Sequence, residues 1–377
     1  MKKSRLYTPG PTPVPPQATL AMAQPIDYHR GEAASAVVRR CADALKTVFQ
    51  TSSEVAILTS SGTGAMEAAV VNLLSAGDKV VVVESGKFGE RWGEIADAYA
   101  LDVVRIAVEW GESVGPAAVE RELNRHADVR AVFATLCETS TGALHDIRAL
   151  GELARCADAL LVVDAVSALG ADEMRMDEWA VDALVSCSQK GLMTPPGLAF
   201  LALGPRAVEA SSSAALPKFY FDYGKYMANL AKDTTPYTPA ISLLYGLDVA
   251  LDSMMGEGID AIYARHARIG RATREGVKAT GLSMFPRVPA NTLTSVRLPD
   301  TLDGKALLRD LRATHGMVFA GGQAHLAGRI VRIAHLGWMD DYDALVAVAA
   351  LERGLAGMGY PVAIGSAVQA AQVALAT

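Results

Sequence analysis

The 377-residue sequence predicts an α/β architecture: a large unit on a parallel or mostly parallel sheet covered by helices, then a smaller α+β unit. Three observations carry this expectation. Between Glu54 and Phe200, short β-branched runs alternate with longer Ala- and Leu-rich segments, the signature of βα repeats. The runs are almost continuously apolar, as strands covered on both faces are. Past Gly258 the alternation gives way to a different mixture of helical and strand patterns, and the length leaves room for two cores at roughly 150 residues each.

The elements follow in chain order. Residues 1–16 are rich in proline and are expected to form an extended arm. In the large unit, 17–258, strands are expected at 55–59, 79–83, 103–106, 131–135, 160–164 and 183–187, with helical spacing at 64–74, 91–99, 117–126 and 148–157 between them. Gly204-Pro205 closes this block. The Ser- and aromatic-rich stretch 211–237 lacks periodicity and is long enough to read as a functional loop region. A helical pattern resumes at 239–255 and, beyond Gly256 and Gly258, continues to about Lys278. The small unit, 259–377, is expected to hold strands at 293–298, 317–320 and 329–334, with helices at 305–313 and 342–358.

Composition narrows the function. The net charge of −6 comes without a basic block that could neutralise a run of phosphates, which disfavours nucleic acid as a partner. Hydrophobic residues make up 51%, too many for a disordered chain. Cys41, Cys137, Cys156 and Cys187 form no CxxC pair, so neither a disulfide framework nor a zinc site is expected. They read as thiols in a reducing compartment. The basic N-terminus runs straight into prolines instead of an apolar secretory stretch, and apolar runs elsewhere fall well short of the roughly 20 residues of a membrane span. A cytoplasmic location is expected.

Three places on the predicted sheet edge carry chemistry. The run Leu58-Thr-Ser-Ser-Gly-Thr-Gly-Ala-Met leads from a strand into a helix through small residues, where backbone N–H groups and the helix dipole suit a phosphate. It satisfies neither the Rossmann nor the P-loop pattern, and alone it equally fits an ordinary tight turn. Asp164 ends an apolar strand, where ligands of open α/β sheets gather. Lys190 follows the next strand on the same rim. A plain ion pair between them is the alternative, but the stiff Gly191-Leu-Met-Thr-Pro-Pro-Gly197 turn would aim the lysine inward. A phosphate cradle, an acid and a lysine are the three handles pyridoxal phosphate needs: a phosphate anchor, a Schiff-base amine and a partner for the ring nitrogen.

With those residues in view, the chain resembles the class V aminotransferases of the fold-type I pyridoxal-phosphate enzymes, close to the alanine–glyoxylate and serine–glyoxylate (serine–pyruvate) aminotransferases. The matching pieces are Thr8-Pro-Gly-Pro-Thr12, Ser60-Ser-Gly-Thr-Gly-Ala65, Glu138-Thr-Ser-Thr-Gly142, Val163-Asp-Ala-Val-Ser-Ala-Leu-Gly170, Ser188-Gln-Lys-Gly191, Tyr237-Thr-Pro-Ala-Ile-Ser242 and Arg332-Ile-Ala-His-Leu-Gly337. The resemblance implies a seven-stranded sheet sandwiched by helices and a homodimer with its site at the interface. It also implies that Ser61, Gly62, Thr63 and Gln189 hold the phosphate, that Phe88 stands where an aromatic ring stacks on the cofactor, and that Thr139 reaches the phenolic oxygen. Tyr237 and Thr238 would cross to the partner's phosphate; a proline-bounded turn is the plain alternative.

Arg332, in the apolar run Arg329-Ile-Val-Arg-Ile-Ala334, needs an anion if it points inward, and a substrate α-carboxylate supplies one. Gly10, between two prolines, would let backbone approach the substrate. His29-Arg30 reads as a structural pair near the mouth, and the scattered histidines do not suggest a metal. A cysteine desulfurase on the same fold would need a nucleophilic cysteine late in the chain, and none follows Cys187. The expected activity is therefore ping-pong transamination with catalytic Lys190 and Asp164, from alanine or serine to glyoxylate or pyruvate. The alternative is a related transaminase using aminoethylphosphonate, ureidoglycine or pyridoxamine.

Overall fold

The structure is a computed structural model that describes residues 3–377, so the first two residues of the arm lie outside it. The chain begins with β1 (Arg5–Tyr7), α1 (Pro16–Met22) and α2 (Glu32–Phe49). The alternating region follows: β2 (Val55–Ser60), α3 (Gly62–Leu73), β3 (Lys79–Glu84), α4 (Lys87–Ala98), β4 (Asp102–Ala107), α5 (Pro116–Arg125), β5 (Val129–Thr135), the short hairpin β6 (Cys137–Glu138) and β7 (Ala143–Leu144), α6 (Ile147–Cys156), β8 (Leu160–Asp164), β9 (Ala183–Cys187) and β10 (Gly197–Leu203). Then come α7 (Pro205–Ser211), α8 (Tyr223–Leu230), α9 (Ile241–Glu257), α10 (Ile259–Ala279), β11 (Ser283–Met284), β12 (Leu293–Arg297), α11 (Gly304–His315), β13 (Met317–Gly321), β14 (Ile330–Ala334), α12 (Asp341–Gly357) and α13 (Ser366–Ala376).

Seven strands form one sheet in the order β2-β10-β9-β8-β5-β3-β4. Their side chains divide by the period of two: Val81, Val83, Val132, Ala134, Leu161 and Val163 join one core, and Val80, Val82, Ala131, Phe133, Leu160 and Val162 the other. Both faces are covered, which is why these strands read as unbroken apolar runs. Strand β4 at one edge keeps Asp102 and Arg105 exposed, a charged border that discourages further pairing. All neighbours are parallel except β10, which runs antiparallel to both β9 and β2. The nine residues between β9 and β10 are too few for a crossover helix, so the chain reverses instead.

The second sheet has the order β1-β13-β14-β12-β11. Strand β1, from the arm, pairs in parallel with β13, setting Arg5 beside Met317 and Tyr7 beside Phe319. One face packs on α11 and α12 through Leu307, Leu311, Val331, Ile333, Leu351 and Leu355. Helix α13 lays Ala367 and Ala371 against Ile269, Ala272 and Val348 of α10 and α12. Gly258, where the change of unit is proposed, links α9 to α10 with φ +87.

The structure departs from expectation in a few elements. The stretch read as a functional loop, 211–237, contains α8, capped by Asp222 through its bond from the Lys225 amide. Two turns of aromatic and polar residues are too short to display a period. Helix α2, left unassigned in the sequence, buries Val37, Val38, Cys41, Leu45, Val48 and Phe49 at helical spacing. No helix of the described residues is long and apolar enough to cross a membrane.

Candidate active site

The carboxyl ends of β8 and β9 set the acid and the lysine. Asp164 closes β8 opposite Thr135 of β5 and is buried. Its Oδ1 accepts from the Val166 amide at 2.7 Å, while Oδ2 has no hydrogen-bond partner among the described residues. Burial pushes this carboxyl up to about 6, and nearby Glu138 adds to the rise; the Val166 N–H, Lys190 and Arg91 oppose it.

Lys190 stands in the loop after β9, which Ser188 pins by donating to the Pro195 carbonyl at 2.7 Å and accepting from the Leu198 amide at 3.3 Å. The lysine is 8% exposed, and its Nζ donates to the carbonyl of Pro9 and to Ser167 Oγ, the latter at 3.1 Å. Burial lowers the pKa of the amine. The arm holds the loop from the other side: Thr12 donates its hydroxyl to the Lys190 carbonyl at 2.9 Å and its amide to the Gln189 carbonyl at 3.2 Å. Gly10, at φ +138, lies so close that an added Cβ would sit 2.4 Å from Lys190 Cε. Only glycine fits both that backbone and that space.

At the β2–α3 turn Ser61 is the exposed N-cap of α3 and makes no side-chain capping bond. Gly62 packs its bare Cα on the strand ends, where a Cβ would meet Val166 Cγ2 at 2.9 Å. Thr63 Oγ1 accepts from Arg91 Nη1 at 3.2 Å, and the Arg91 guanidinium lies 4.9 Å from the centre of the Phe88 ring. Arg91 pairs with no carboxylate among the described residues. The first turn of α4, which carries Phe88, is clamped by Glu138, which is fully buried: its Oε2 accepts from the Phe88 and Gly89 amides at 3.1 and 3.0 Å, its Oε1 from the Ser140 amide and hydroxyl at 3.0 and 2.5 Å.

Arg332 on β14 is 7% exposed. Its Nε donates to the Gly321 carbonyl at 2.9 Å and its Nη1 to the Thr139 carbonyl at 2.7 Å, leaving Nη2 without a partner among the described residues. Burial pushes its pKa down to about 10 against the attraction of Glu138. Thr139 joins the lysine side as well, with Oγ1 2.5 Å from Ser167 Oγ.

Lys190, Asp164, Thr139, Arg332 and Gly10 are thus linked by contact or by field, and Thr63 and Phe88 by Arg91. Tyr237 and Thr238 are not brought to this group within one chain. The Tyr237 ring stacks on Tyr220 at 4.8 Å and its hydroxyl donates to the Phe219 carbonyl at 2.7 Å; Thr238 is exposed. Arg30 is exposed too, and His29 meets only the edge of Tyr28 in ring contact.

Comparison with known proteins places this geometry. The family model described as Aminotransferase class-V matches residues 14–326. The chain belongs to the class V aminotransferase family. As a class V aminotransferase it depends on pyridoxal phosphate. It is 36% identical to the L-aspartate–glyoxylate aminotransferase of Paracoccus denitrificans (strain Pd 1222), over 97% of this chain and 95% of that one. A protein of Synechococcus sp. (strain PCC 6716) named soluble hydrogenase, small subunit, is 44% identical over 95% of this chain and 94% of its own. The solved structure of pyridoxamine–pyruvate aminotransferase from Mesorhizobium loti superposes with a TM-score of 0.95 at 30% identity, covering 100% of this chain and 98% of that one.

The residues of this aminotransferase fit the cofactor. Among the described residues the Gln189 side-chain amide has a buried oxygen with no partner, Asp164 has a free oxygen for a protonated ring nitrogen, and Arg91 is a cation without an anion beside the first turn of α3. Three residues of the site carried no assignment in the sequence: Glu138, Ser167 and Arg91. The first two lie within motifs quoted for the family, but their partners are distant along the chain and invisible to spacing. Arg91, one turn from Phe88, has the clearest local signal.

Proposed function

We propose that this aminotransferase moves the amino group of a small α-amino acid, alanine or serine, to glyoxylate or pyruvate in two half-reactions of a ping-pong cycle. The observation that carries the reading is Arg332: a buried guanidinium held on two sides by carbonyl oxygens, with Nη2 left for a carboxylate, and bonded directly to Thr139 of the Lys190–Ser167–Thr139 contacts. Bound pyridoxal phosphate supplies a carbonyl that receives the amino group and a ring that draws electron density from the substrate Cα. Lys190 would anchor the cofactor and, with its amine free, would serve as the base that takes the proton from the substrate Cα. Asp164 holds negative charge against the protonated ring nitrogen. Ser61, Gly62, Thr63 and Gln189, with Arg91, hold the phosphate; Phe88 covers the ring and Thr139 meets the phenolic oxygen. Gly10 leaves room for substrate beside the lysine.

The proposal extends to a homodimer in which Tyr237 and Thr238 serve the phosphate of the neighbouring protomer. It is supported by the family resemblance and by the exposed aromatic group around Tyr237, where Phe219 is 74% exposed. The glyoxylate acceptor is supported by the Paracoccus relative, which uses aspartate as donor. A second reading, with a donor that lacks an α-carboxylate, is supported by the likeness to the pyridoxamine–pyruvate enzyme.

The test is a panel of alanine, serine, aspartate, pyridoxamine, ureidoglycine and aminoethylphosphonate against glyoxylate and pyruvate, run on wild type and Arg332→Lys. A lysine keeps the charge and loses the fork, so half-reactions with α-amino acids should weaken by about 1.5–3 kcal/mol while the visible band of bound cofactor persists. A wild-type preference for pyridoxamine, or an Arg332→Lys variant with unchanged donor kinetics, moves the function to the second reading. If borohydride fixes no cofactor on Lys190, the catalytic assignment fails altogether.

A further inference from the structure

The hydroxyl of Ser167, three residues past Asp164, has no part in the scheme above, yet it is 3% exposed and touches the reacting lysine. It accepts from Lys190 Nζ at 3.1 Å and lies 2.5 Å from Thr139 Oγ1. The other bond of Nζ goes to the Pro9 carbonyl oxygen, an atom that can only accept. With Ser167 accepting as well, both N–H bonds of a neutral amine are engaged and its lone pair is the position left free. Ser167 and Thr139 share one further hydrogen bond, in which either hydroxyl can be the donor, and Thr139 Oγ1 has no other partner among the described residues.

We propose that Ser167 is a positioning residue for the reacting amine: it holds Lys190 Nζ against the Pro9 carbonyl with the lone pair free, and is itself braced by its bond to the Thr139 hydroxyl. This rests on the reading that Lys190 is the lysine that takes the cofactor. The groups that face the amine come from four strands: Asp164 of β8 favours its charged form, Arg332 of β14 disfavours it, and the thiols of Cys187 of β9 and Cys137 of β6 are kept uncharged by burial. Burial outweighs them and favours the neutral amine, the form whose two N–H bonds this arrangement uses.

Two measurements test the proposal. In cofactor-free protein, competitive labelling with trace acetic anhydride from about pH 6 to about pH 11, read by mass spectrometry on the Lys190 peptide, gives the titration midpoint of the amine. An ammonium gains more from an acceptor than an amine does, so Ser167→Ala should move the midpoint to lower pH. Separately, the rate at which Lys190 captures added pyridoxal phosphate, followed at the visible band, should reach a high-pH limit about tenfold below wild type, because the neutral amine is no longer aimed. Ser167→Thr retains the hydroxyl and should restore both; if its extra methyl unfolds the protein, the two alanine readouts decide alone. A wild-type midpoint or a wild-type limiting rate in Ser167→Ala overturns the positioning role. Should wild-type Lys190 capture no pyridoxal phosphate, the functional reading falls, while the labelling midpoint still reports on the Ser167–Lys190 bond.

Discussion

A carboxyl buried at a strand end, with one oxygen bonded and the other free, is held in readiness for a cationic partner. Asp164 is that group, and its elevated pKa makes a prediction about the cofactor-free protein. Its folded-state value, about 6, lies above the ordinary 3.8, so the folded state binds the proton more tightly than the unfolded chain does. The stability it contributes is full below about 4 and is lost as pH rises through about 6, on the order of 3 kcal/mol between the limits. Asp172, buried against the Asn291 amide and likewise pushed up to about 6, acts in the same direction. Asp164→Asn should therefore flatten the pH dependence of urea midpoints measured from about pH 4 to about pH 7, and an unaltered dependence would count against its burial as a cause. With cofactor bound, the same variant should lose orders of magnitude in transamination rate while still binding, because the amide carries no charge for the ring nitrogen. At this scale the sequence was informative where a residue's role follows from its own strand end, as for Asp164 and Lys190. It was silent where the role lies in a partner: nothing near Glu138 reveals that its carboxylate meets the Phe88 and Gly89 amides, and nothing near Ser167 reveals Lys190.

The first turn of helix α4 is fixed from the β6–β7 hairpin. Glu138 accepts four hydrogen bonds, three from backbone amides and one from the Ser140 hydroxyl, and so ties the turn that carries Phe88 to the segment that carries Thr139. Glu138→Gln would turn an N–H₂ group toward donors that have no other acceptor. The expected loss is about 2–3 kcal/mol in global stability, together with weaker cofactor binding as Phe88 comes loose. Equal urea midpoints for wild type and Glu138→Gln would refute the clamp. The legibility of elements followed their burial. Strands of the large sheet stood out because both faces are apolar, whereas β10 was hidden behind the Pro195-Pro196-Gly197 turn that reverses it. The arm's strand β1 is three residues long, and only its distant partner β13 makes it a strand at all.

At the scale of the whole molecule, the proposed homodimer predicts that each site is shared. Lys190→Ala and a Tyr237→Ala/Thr238→Ala double variant should each be impaired, but unfolding and refolding them together should restore up to about a quarter of the sites, since half of the random pairs are mixed and each contains one intact combination. Mixed dimers that remain inactive would remove Tyr237 and Thr238 from the neighbouring site. The plan of the seven-stranded sheet was readable in the alternation between Glu54 and Phe200, but the closure of the arm over the lysine was not. That closure has a consequence for biosynthesis. Pro9, Gly10 and Thr12 rest on the Lys190 loop, and the strand just before them is anchored beside Met317, which the ribosome translates near the end of the chain. A nascent polypeptide can therefore complete its seven-stranded sheet and still leave Lys190 uncovered, so that the arm settles only after β13 has emerged to receive it.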